Sequence, residues 1–384
     1  MTDIYKLILD ELTTAGCCHV ERFPPFYNCS IGSHILNLYN LTSHVYFEAR
    51  RVPNLRAHIM FVAPPGGEKT FWQDQYLRGE QALLTDSGVG TAMAGMMTEA
   101  GFVGTIRLEG GQKIEVPGLC KTNVNDIVGI EEFSAINEAL KAEHSKVLDP
   151  AMLGALDSGW VYKNLAAGHL SYQTALTLWA GTQPARFDLR AGMARRFLFI
   201  YFIPTPKDLI DIKIARRESK NKRFNPIQTD RIKKELQKLI QDVKLIQKIT
   251  WDEAVYQLYD EQKLLHWEEQ LYDHLLMGYQ VMRGKFDSEL HVTLDEESRQ
   301  LIKKEAYYRD TIRRGSEFAE VLLIMREHNG EMGLFELKDE LLSFGKDWRQ
   351  SRDLIDELVR MRALSKTADG HLKLSTELRG NKNG

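Results

Sequence analysis

The sequence predicts a mixed α/β fold, and three short segments carry this prediction. Each is an apolar run that ends abruptly in a polar or glycine-containing loop: Ile59–Val62, Ile127–Ile130 and Ala175–Ala180. Runs of this length that are bounded by turn signals are typical of buried strands. Helical segments alternate with them, as in the core of an α/β domain.

Length and composition narrow the possible classes of protein. The chain has 384 residues, so two or three domains are expected, and its net charge of −3 indicates no particular partner. No uninterrupted apolar run approaches the ~20 residues of a membrane-spanning helix. The first twelve residues mix acidic with apolar side chains, unlike a signal peptide. We therefore expect a cytoplasmic protein that does not enter a membrane.

The cysteines do not form a disulfide framework, because the four in the chain lack the spacing of one. The candidates for a zinc cluster are Cys17, Cys18, His19 and Cys29. Their spacing fits no usual zinc pattern, and the adjacent Cys17 and Cys18 would need strained geometry to share one ion. We expect reduced thiols rather than a metal site.

The first apolar run is followed by a loop with two prolines and two glycines, and then by Lys69 and Thr70 at the start of a predicted helix. This is the layout of a phosphate-binding P-loop. In such a loop backbone N–H groups hold the phosphates, the lysine reaches the β- and γ-phosphates, and the hydroxyl binds Mg²⁺. The candidate nucleotide-binding residues are Pro65, Gly66, Gly67, Glu68, Lys69 and Thr70, and the implied cofactors are ATP and Mg²⁺.

The loop departs from the usual pattern G-x-x-x-x-G-K-[ST] at both glycines, which are replaced by Ala63 and Glu68. A carboxylate about 6 Å from a phosphate charge costs roughly 3 kcal/mol at an effective dielectric near 20. We therefore expect Glu68 to point away from the phosphates. An ordinary turn is the alternative interpretation of this segment.

The second run, Ile127–Ile130, ends in Glu131 and Glu132. We expect this strand to lie beside the P-loop strand, with Glu131 binding Mg²⁺ and Glu132 polarising the attacking water. An acidic loop after a strand is the plain alternative. The third run ends in Gly-Thr-Gln-Pro, and the amide of Gln183 is placed to orient the same water.

Two hairpins interrupt the alternation of strands and helices. Residues 102–120 read as two strands joined at Gly110 and Gly111, and residues 160–180 begin with a hairpin whose tip is at residues 166–168. Farther on, Arg195 and Arg196 precede a predicted strand. They are either a solvated edge or a pair that reaches the site of a neighbouring subunit.

The order of these parts resembles the AAA+ module of the minichromosome maintenance (MCM) helicases, over roughly residues 50–205. The P-loop of that family reads G-D-P-G-V-A-K-S, to which residues 63–70 are similar. The resemblance makes Glu131 and Glu132 the Walker B acids, Gln183 the sensor residue and Arg196 the arginine finger. The catalytic candidates are therefore Glu132, Gln183 and Arg196.

The same resemblance implies an ATP-dependent motor, a homo-hexamer that translocates along DNA or unwinds it. The hairpin at residues 160–180 would then line the central pore. The family has a lysine at the hairpin tip where this chain has Leu165, so the DNA-contact candidates are Lys163 and His169. We expect an MCM-like ATPase that lacks the N-terminal DNA-binding domain of the family.

The predicted layout is an AAA+ P-loop core with β-hairpin insertions, a helical lid and a C-terminal winged helix. Its segments are residues 1–50 packed on the core, 51–205 the core, 206–315 the lid, 316–378 the winged helix and 379–384 a disordered tail. Arg309 and Arg313 are candidates for the lid arginine. The third helix of the winged helix mixes arginines with acids, which suits a replication or mobile-element protein as partner as well as DNA.

Two other functions remain open at this level. One is an accessory or loader ATPase that acts as a switch without unwinding DNA, which the lost tip lysine favours. The other is a nucleotide-binding scaffold that no longer hydrolyses. Glu68 supports the scaffold, whereas the retention of Glu132, Gln183 and Arg196 opposes it.

Overall fold

The computed structural model of the protein divides into two compact units, Met1–Arg309 and Asp310–Gly384. The described residues are 1–39, 46–47, 50–51, 56–95, 97–133, 148–166, 168–183, 195–221, 229–262, 264–343, 347–360, 363–367 and 369–374. The tail predicted to be disordered at 379–384 and the side chain of Arg313 lie outside them.

The elements of the first unit follow one another as strands and helices with two hairpins between them. In chain order they are α1 (Ile4–Thr14), α2 (Pro24–Tyr39), β1 (Tyr46–Phe47), β2 (Arg50–Arg51), β3 (His58–Val62), α3 (Lys69–Leu77), β4 (Gly90–Ala94), α4 (Glu99–Val103), β5 (Gly104–Glu109), β6 (Gln112–Pro117), α5 (Leu119–Thr122), β7 (Asp126–Ile130), α6 (Leu148–Asp157), β8 (Trp160–Leu165), β9 (Gly168–Gln173), β10 (Thr177–Thr182), β11 (Phe197–Tyr201), α7 (Pro206–Asn221), α8 (Thr229–Asp242), β12 (Lys248–Trp251), α9 (Glu253–Glu261), α10 (His266–Met282), β13 (Glu289–Val292) and α11 (Glu296–Glu327), which continues into the second unit.

A parallel sheet of five strands in the order β11-β3-β10-β7-β4 forms the core of this unit. Strands β3 and β10 are buried at every position, which is why all their residues except His58 are apolar or small. The predicted mixed α/β fold is confirmed at this level: helices alternate with the strands of a central parallel sheet.

Strand β7 does not lie beside β3, so the expected neighbourhood of these two strands is wrong. Strand β10 separates them, pairing Thr182 with Val62 on one side and Ala180 with Ile130 on the other. Burial explains the order. The completely buried β10 takes the centre of the sheet, whereas β4, which is half-buried throughout, takes the edge.

The connections of the sheet change direction between β3 and β10. From β3 the chain crosses to β4 at one edge, and from β10 it crosses to β11 at the other edge. In open α/β sheets ligands bind outside the carboxyl ends of the strands at such a switch point. The loops that begin after Val62 and Thr182 therefore flank the expected binding crevice.

Both predicted hairpins are present in the structure. Strands β5 and β6 are joined by Gly110 and Gly111, whose φ angles of 59° and 84° are the positive values that a tight hairpin turn needs. Strands β8 and β9 pair from Trp160 with Gln173 to Leu165 with Gly168.

Helix α2 follows α1 in the chain. Its first residues are Pro24 and Pro25, which are tolerated in a first turn because those N–H groups have no helical partner. The helix is buried on all sides, so its sequence lacks an amphipathic pattern. It packs closely on α10, where a Cβ on Gly32 would collide with the carbonyl oxygen of Gly278.

The segment predicted as a helical lid also contains strands, because β12 and β13 form a parallel pair within it. The contacts of this segment make it part of the first compact unit, which extends to Arg309. None of the described helices is long and apolar enough to cross a membrane.

The second unit holds the end of α11 with two further helices and three strands. These are β14 (Glu331–Gly333), α12 (Leu334–Ser343), α13 (Trp348–Arg360), β15 (Leu364–Lys366) and β16 (His371–Leu374). The strands form an antiparallel sheet in the order β14-β16-β15. Leucines, isoleucines and methionines from all three helices form one core against this sheet.

Candidate functional site

The loop after β3 turns sharply at the carboxyl edge of the sheet. The N–H of Gly67 donates to the carbonyl oxygen of Pro64 at 3.0 Å, and Gly66 has a φ of 78°. A Cβ on Gly67 would lie 2.7 Å from the Cβ of Ala63, so only glycine fits this approach. Pro65 and Gly66 are exposed at the rim, where a ligand has access to the loop.

Lys69 is the first residue of α3, and its ammonium group turns back onto this loop. Its Nζ donates to the carbonyl oxygens of Ala63 at 2.5 Å and Pro64 at 3.1 Å. Burial lowers the pKa of Lys69, and the negative charge of Glu132 partly offsets that effect. Lys69 is therefore a buried cation in contact with the loop and within electrostatic reach of a carboxylate.

Glu132 and Gln183 meet in front of the sheet although 51 positions separate them in the chain. The amide Nε2 of Gln183, just after β10, donates to Oε2 of Glu132 at 3.1 Å, just after β7. The amide of Gln73 in α3 donates to carbonyl oxygens of the same two strands, to that of Ile130 at the end of β7 at 3.3 Å and to that of Trp179 within β10 at 3.0 Å. The helix that carries Lys69 is thereby fixed to the strands that carry Glu132 and Gln183.

Glu131 occupies a different place from Glu132. Its carboxylate is paired with Arg78, which also pairs with Asp74 at 3.2 Å, and these side chains are substantially exposed. Thr70 is half-buried in the first turn of α3. The structure thus brings Lys69, Glu132 and Gln183 together, whereas Glu131 is turned toward the outer surface of α3.

Glu68 points away from the loop, as its charge predicts. Its residue has a φ of 63°, and its buried carboxylate contacts His19 Nδ1 at 3.1 Å and accepts from Cys18 Sγ at 3.5 Å. The other ring nitrogen of His19 lies 3.3 Å from Asp208. Hydrogen bonds from Cys18 and Glu68 raise the pKa of His19 to about 10. The partners of Glu68 come from the segment between α1 and α2.

The two arginines before β11 differ in exposure. Both pair with Asp157 at the end of α6, but the Arg196 side chain is 3% exposed and that of Arg195 is 53% exposed. Phe197, the next residue, begins β11, so this pair lies at the amino edge of the sheet, opposite the Lys69 loop. Arg195 is the one that reaches solvent.

Arg309 does not approach the Lys69 loop. Its guanidinium is buried and pairs with Glu305 at 2.7 Å, while it donates to the carbonyl oxygen of Phe197 at 2.8 Å. This contact lies at the amino end of β11, whereas the Lys69 loop lies at the carboxyl edge. Arg309 fixes α11 to the sheet in the present arrangement.

The DNA-contact candidates lie on a hairpin that packs against the other one. Lys163 is half-buried, and its Nζ donates to the carbonyl oxygen of Gly104 at 3.2 Å. His169 is exposed near the tip. Because side chains alternate along a strand, Trp160 and Tyr162 occupy the face of β8 opposite Lys163. They stack on one another with ring centroids 5.6 Å apart, and Tyr162 is 68% exposed.

Several residues of these surfaces were missed from the sequence. Lys113 of β6 is exposed, and its Nζ lies 4.0 Å from the position of a Cβ on Gly168, at the tip of the neighbouring hairpin. Gln73 and Arg78 carry no motif, and only their helical positions after Lys69 point toward β7 and β10. Strand alternation indicates Tyr162 as a surface residue once β8 is recognised.

No family model matches the chain, and no curated protein was found to be similar to it.

Proposed function

We propose that the chain is an ATPase of the AAA+ class that uses Mg-ATP and acts on DNA as an oligomer. The observation that carries the proposal is the convergence of Lys69, Glu132 and Gln183 at the carboxyl edge of the sheet. This edge is also the switch point between β3 and β10, where α/β sheets bind ligands. A buried cation beside a carboxylate–amide pair suits phosphoryl transfer, because that reaction needs charge stabilisation and an oriented water.

The residues present fit a nucleoside triphosphate. Gly67 lets the loop turn tightly, which backbone N–H groups need if they are to approach a phosphate, and the amino terminus of α3 lies at the same place. Gly181 faces Lys69, and a Cβ there would lie 3.4 Å from the lysine Cδ and 2.7 Å from the Glu131 carbonyl oxygen. Glu68 adds no charge to the crevice because its carboxylate is held by Cys18 and His19.

Each residue then has a defined role. Lys69 leaves the carbonyls of Ala63 and Pro64 to bind phosphate oxygens. Glu132 accepts the proton of the attacking water, and Gln183 orients Glu132 through the 3.1 Å hydrogen bond. A magnesium ion held by Thr70 and Glu131 would neutralise phosphate charge. Glu131 must leave Arg78 to take part.

Two substitutions test the nucleotide site. Lys69→Ala is expected to lose nucleotide binding, because the cation that meets the phosphates is removed. Glu132→Gln is expected to bind ATP and lose hydrolysis, because only the acceptance of the water proton is removed. Asp74→Asn is the control, since it removes a nearby charge without touching Gln183. Normal turnover by Glu132→Gln would contradict the assignment.

An accessory ATPase that switches without unwinding DNA is the second candidate. The observation in its favour is the contact of Lys163 with Gly104, which uses that lysine to join the two hairpins. The motor is supported by the exposed Tyr162, Lys113 and His169, which together offer stacking and charge to a single strand. DNA stimulation of the ATPase separates the two candidates.

The second unit suits a winged helix that contacts a protein. Its order of elements is helix, strand, two helices and two paired strands, as in that class of domain. The exposed face of α13 carries Arg349, Arg352, Asp353, Asp356 and Arg360. Such mixed charge is a poor match for a uniformly negative phosphate backbone. We assign to it a partner protein of a replication or mobile-element complex.

A further inference from the structure

Cys18, His19 and Glu68 form a cluster of three potential metal ligands beside the Lys69 loop. One donor atom from each, namely a thiol sulfur, an imidazole nitrogen and a carboxylate oxygen, lies within 4.8 Å of the other two. Two of the residues adjoin in the chain and the third is about 50 positions away, so folding of the first unit creates the group. Cys29, which the sequence offered for such a site, is buried in α2 instead.

We propose that this cluster is a zinc site with Cys18 Sγ, His19 Nδ1 and one Glu68 oxygen as ligands. Zinc binds sulfur at about 2.3 Å and nitrogen or oxygen at about 2.0–2.2 Å, usually in a tetrahedron, so neighbouring ligand atoms lie roughly 3.3–3.7 Å apart. Glu68 Oε2 lies 3.1 Å from His19 Nδ1, and Glu68 Oε1 lies 3.5 Å from Cys18 Sγ. One donor atom from each residue lies within 4.8 Å of the others, so small rotations of the side chains would bring them to the spacing of a tetrahedral ion.

The surroundings of His19 match those of a metal-bound imidazole. Its second nitrogen, Nε2, lies 3.3 Å from Asp208, and a carboxylate in that position holds the Nε2 proton. Release of the Nδ1 proton on binding would then present the Nδ1 lone pair to a metal. Phe23 and Phe202 contact the ring with centroid distances of 5.7 Å and 5.2 Å. Asp208 therefore acts as a positioning residue that fixes the ring and its tautomer.

Backbone strain also occurs at this cluster, in two of its three residues. His19 has a φ of 60° and Glu68 a φ of 63°, a region that residues other than glycine rarely occupy. Strained residues of this kind persist where the surrounding structure holds them and are concentrated at functional sites. Here the two strained residues face one another, and each directs a ligand atom into the cluster.

The chemistry of the donors selects zinc. A thiolate disfavours the hard ions Mg²⁺ and Ca²⁺, and a mixed sulfur, nitrogen and oxygen set is typical of Zn²⁺. Cys18 binds as the thiolate and His19 through deprotonated Nδ1, so the thiol proton and the Nδ1 proton both pass to solvent on binding. Three protein ligands leave a fourth position for water, and the partial exposure of Cys18 gives the ion access.

The site would link the segment between α1 and α2 to the Lys69 loop. Glu68 immediately precedes Lys69, so a zinc ion on its carboxylate keeps that negative charge away from the phosphate position. Metal binding itself involves none of Lys69, Glu132 or Gln183. The inference is therefore tested without nucleotide, and its failure would leave the proposed ATPase untouched.

The test is a titration of the metal-free, reduced chain with Co²⁺ as a spectroscopic probe and with Zn²⁺ as competitor. One equivalent of Co²⁺ is expected to bind, with a thiolate-to-metal charge-transfer band and the strong visible bands of tetrahedral cobalt, and Zn²⁺ should displace it. Cys18→Ser should lose the charge-transfer band, and Glu68→Gln should lose stoichiometric binding. Cys17→Ser is the matched control and should keep both.

Two further readouts distinguish a ligand from a structural residue. Asp208→Asn is expected to bind about 10- to 100-fold more weakly with the charge-transfer band retained, as for other second-sphere carboxylates. In the wild-type chain Zn²⁺ should slow alkylation of Cys18 at least tenfold and leave that of Cys17 unchanged. Binding without a thiolate band, loss of the band in Cys17→Ser, or unprotected Cys18 would each overturn the assignment.

Discussion

Gln183 donates a hydrogen bond to Glu132 at 3.1 Å, across the carboxyl ends of two neighbouring strands. Strands β7 and β10 are paired in parallel, so the residues that follow them emerge side by side. The contact ties a proton acceptor to an amide that sets its orientation. It also places both groups near Lys69, whose pKa responds to the charge of Glu132.

The first prediction concerns this pair. Gln183→Ala is expected to lower kcat roughly 10²-fold with little change in KM, because the carboxylate loses its orientation while phosphate binding is retained. The effect should not add to that of Glu132→Gln, since residues that act as a unit give non-additive losses. Steady-state kinetics of both single variants and the double variant measure this. Multiplicative losses in the double variant would show that the two side chains act independently.

The second prediction concerns the arginines before β11. The resemblance to MCM assigns the finger to Arg196, but only Arg195 reaches solvent, while Arg196 is buried against Asp157. We expect Arg195→Ala to lose about 10³-fold in turnover and to regain some when mixed with inactive Lys69→Ala, because one intact interface then forms. Arg196→Ala should instead lower the free energy of unfolding by about 1–3 kcal/mol.

Subunit exchange must be demonstrated in the same mixtures, for instance by energy transfer between labelled chains. Two results together would assign the arginine finger to Arg196. The Arg196→Ala protein would remain fully stable and complement Lys69→Ala, and the Arg195→Ala protein would be fully active. Absence of recovery with either variant in exchanging mixtures would contradict a shared site.

Local features of this fold are predictable from the sequence. The strand, loop and helix around Lys69 and the turn at Gly110 and Gly111 depend on residues next to one another, so their pattern suffices. Helix α2 is not predictable in this way, because it is buried on every side and begins with two prolines. The close approach of its backbone to α10 at Gly32 and Gly278 joins positions about 250 residues apart, and no local sequence pattern predicts such a contact.

Some residues of the site are predictable from local sequence patterns and others are not. Lys69, Glu132 and Gln183 come after predicted strands, so they are expected to converge if those strands are parallel. The cluster of Cys18, His19 and Glu68 is not predictable, because no sequence rule pairs the segment of Cys18 and His19 with the loop that holds Glu68. Lys163 is an intermediate case. The alternation of side chains along β8 places it on the face opposite Tyr162, and this placement is predictable once β8 is recognised as a strand.

The third prediction concerns the acid stability of the first unit. His34, His58 and His274 are buried, and burial together with the charge of Arg56 lowers their pKa values, to about 3 for His34, about 4 for His274 and well below 6.5 for His58. The unfolded chain therefore takes up protons below about pH 6.5 that the folded chain refuses. The contribution of these histidines to the free energy of unfolding is fully present above that pH. It falls toward pH 4 by about 1.4 kcal/mol per pH unit for each histidine.

Urea unfolding between pH 7.5 and pH 4.5 measures this slope. His34→Gln should be less stable at neutral pH, because contacts with Thr177 and Asn125 change, but its stability should depend less on pH by about one proton. His266→Gln removes an exposed histidine and serves as the control variant. The same pH slope in His34→Gln and the parent would show that His34 titrates alike in both states.

The last prediction concerns DNA and decides between motor and switch. Tyr162 is exposed and stacked on Trp160, and Lys113 lies at the tip of the paired hairpins. Tyr162→Ala should weaken single-stranded DNA binding by about 1–3 kcal/mol through lost base stacking. Lys113→Ala should lower the slope of log K against log salt by about 0.7, since one phosphate contact is lost.

Lys163→Ala is the informative contrast to Lys113→Ala, because Lys163 Nζ is already bound to the Gly104 carbonyl oxygen. If that contact persists with DNA, the salt slope should hardly change, and loss of the lysine should act by loosening the two hairpins. DNA stimulation of turnover would then fall in both variants, but only Lys113→Ala would alter the salt slope. An altered slope in Lys163→Ala would restore that lysine as a direct phosphate contact. Turnover of the parent protein that is flat across added single-stranded and duplex DNA would contradict the motor and leave the accessory switch.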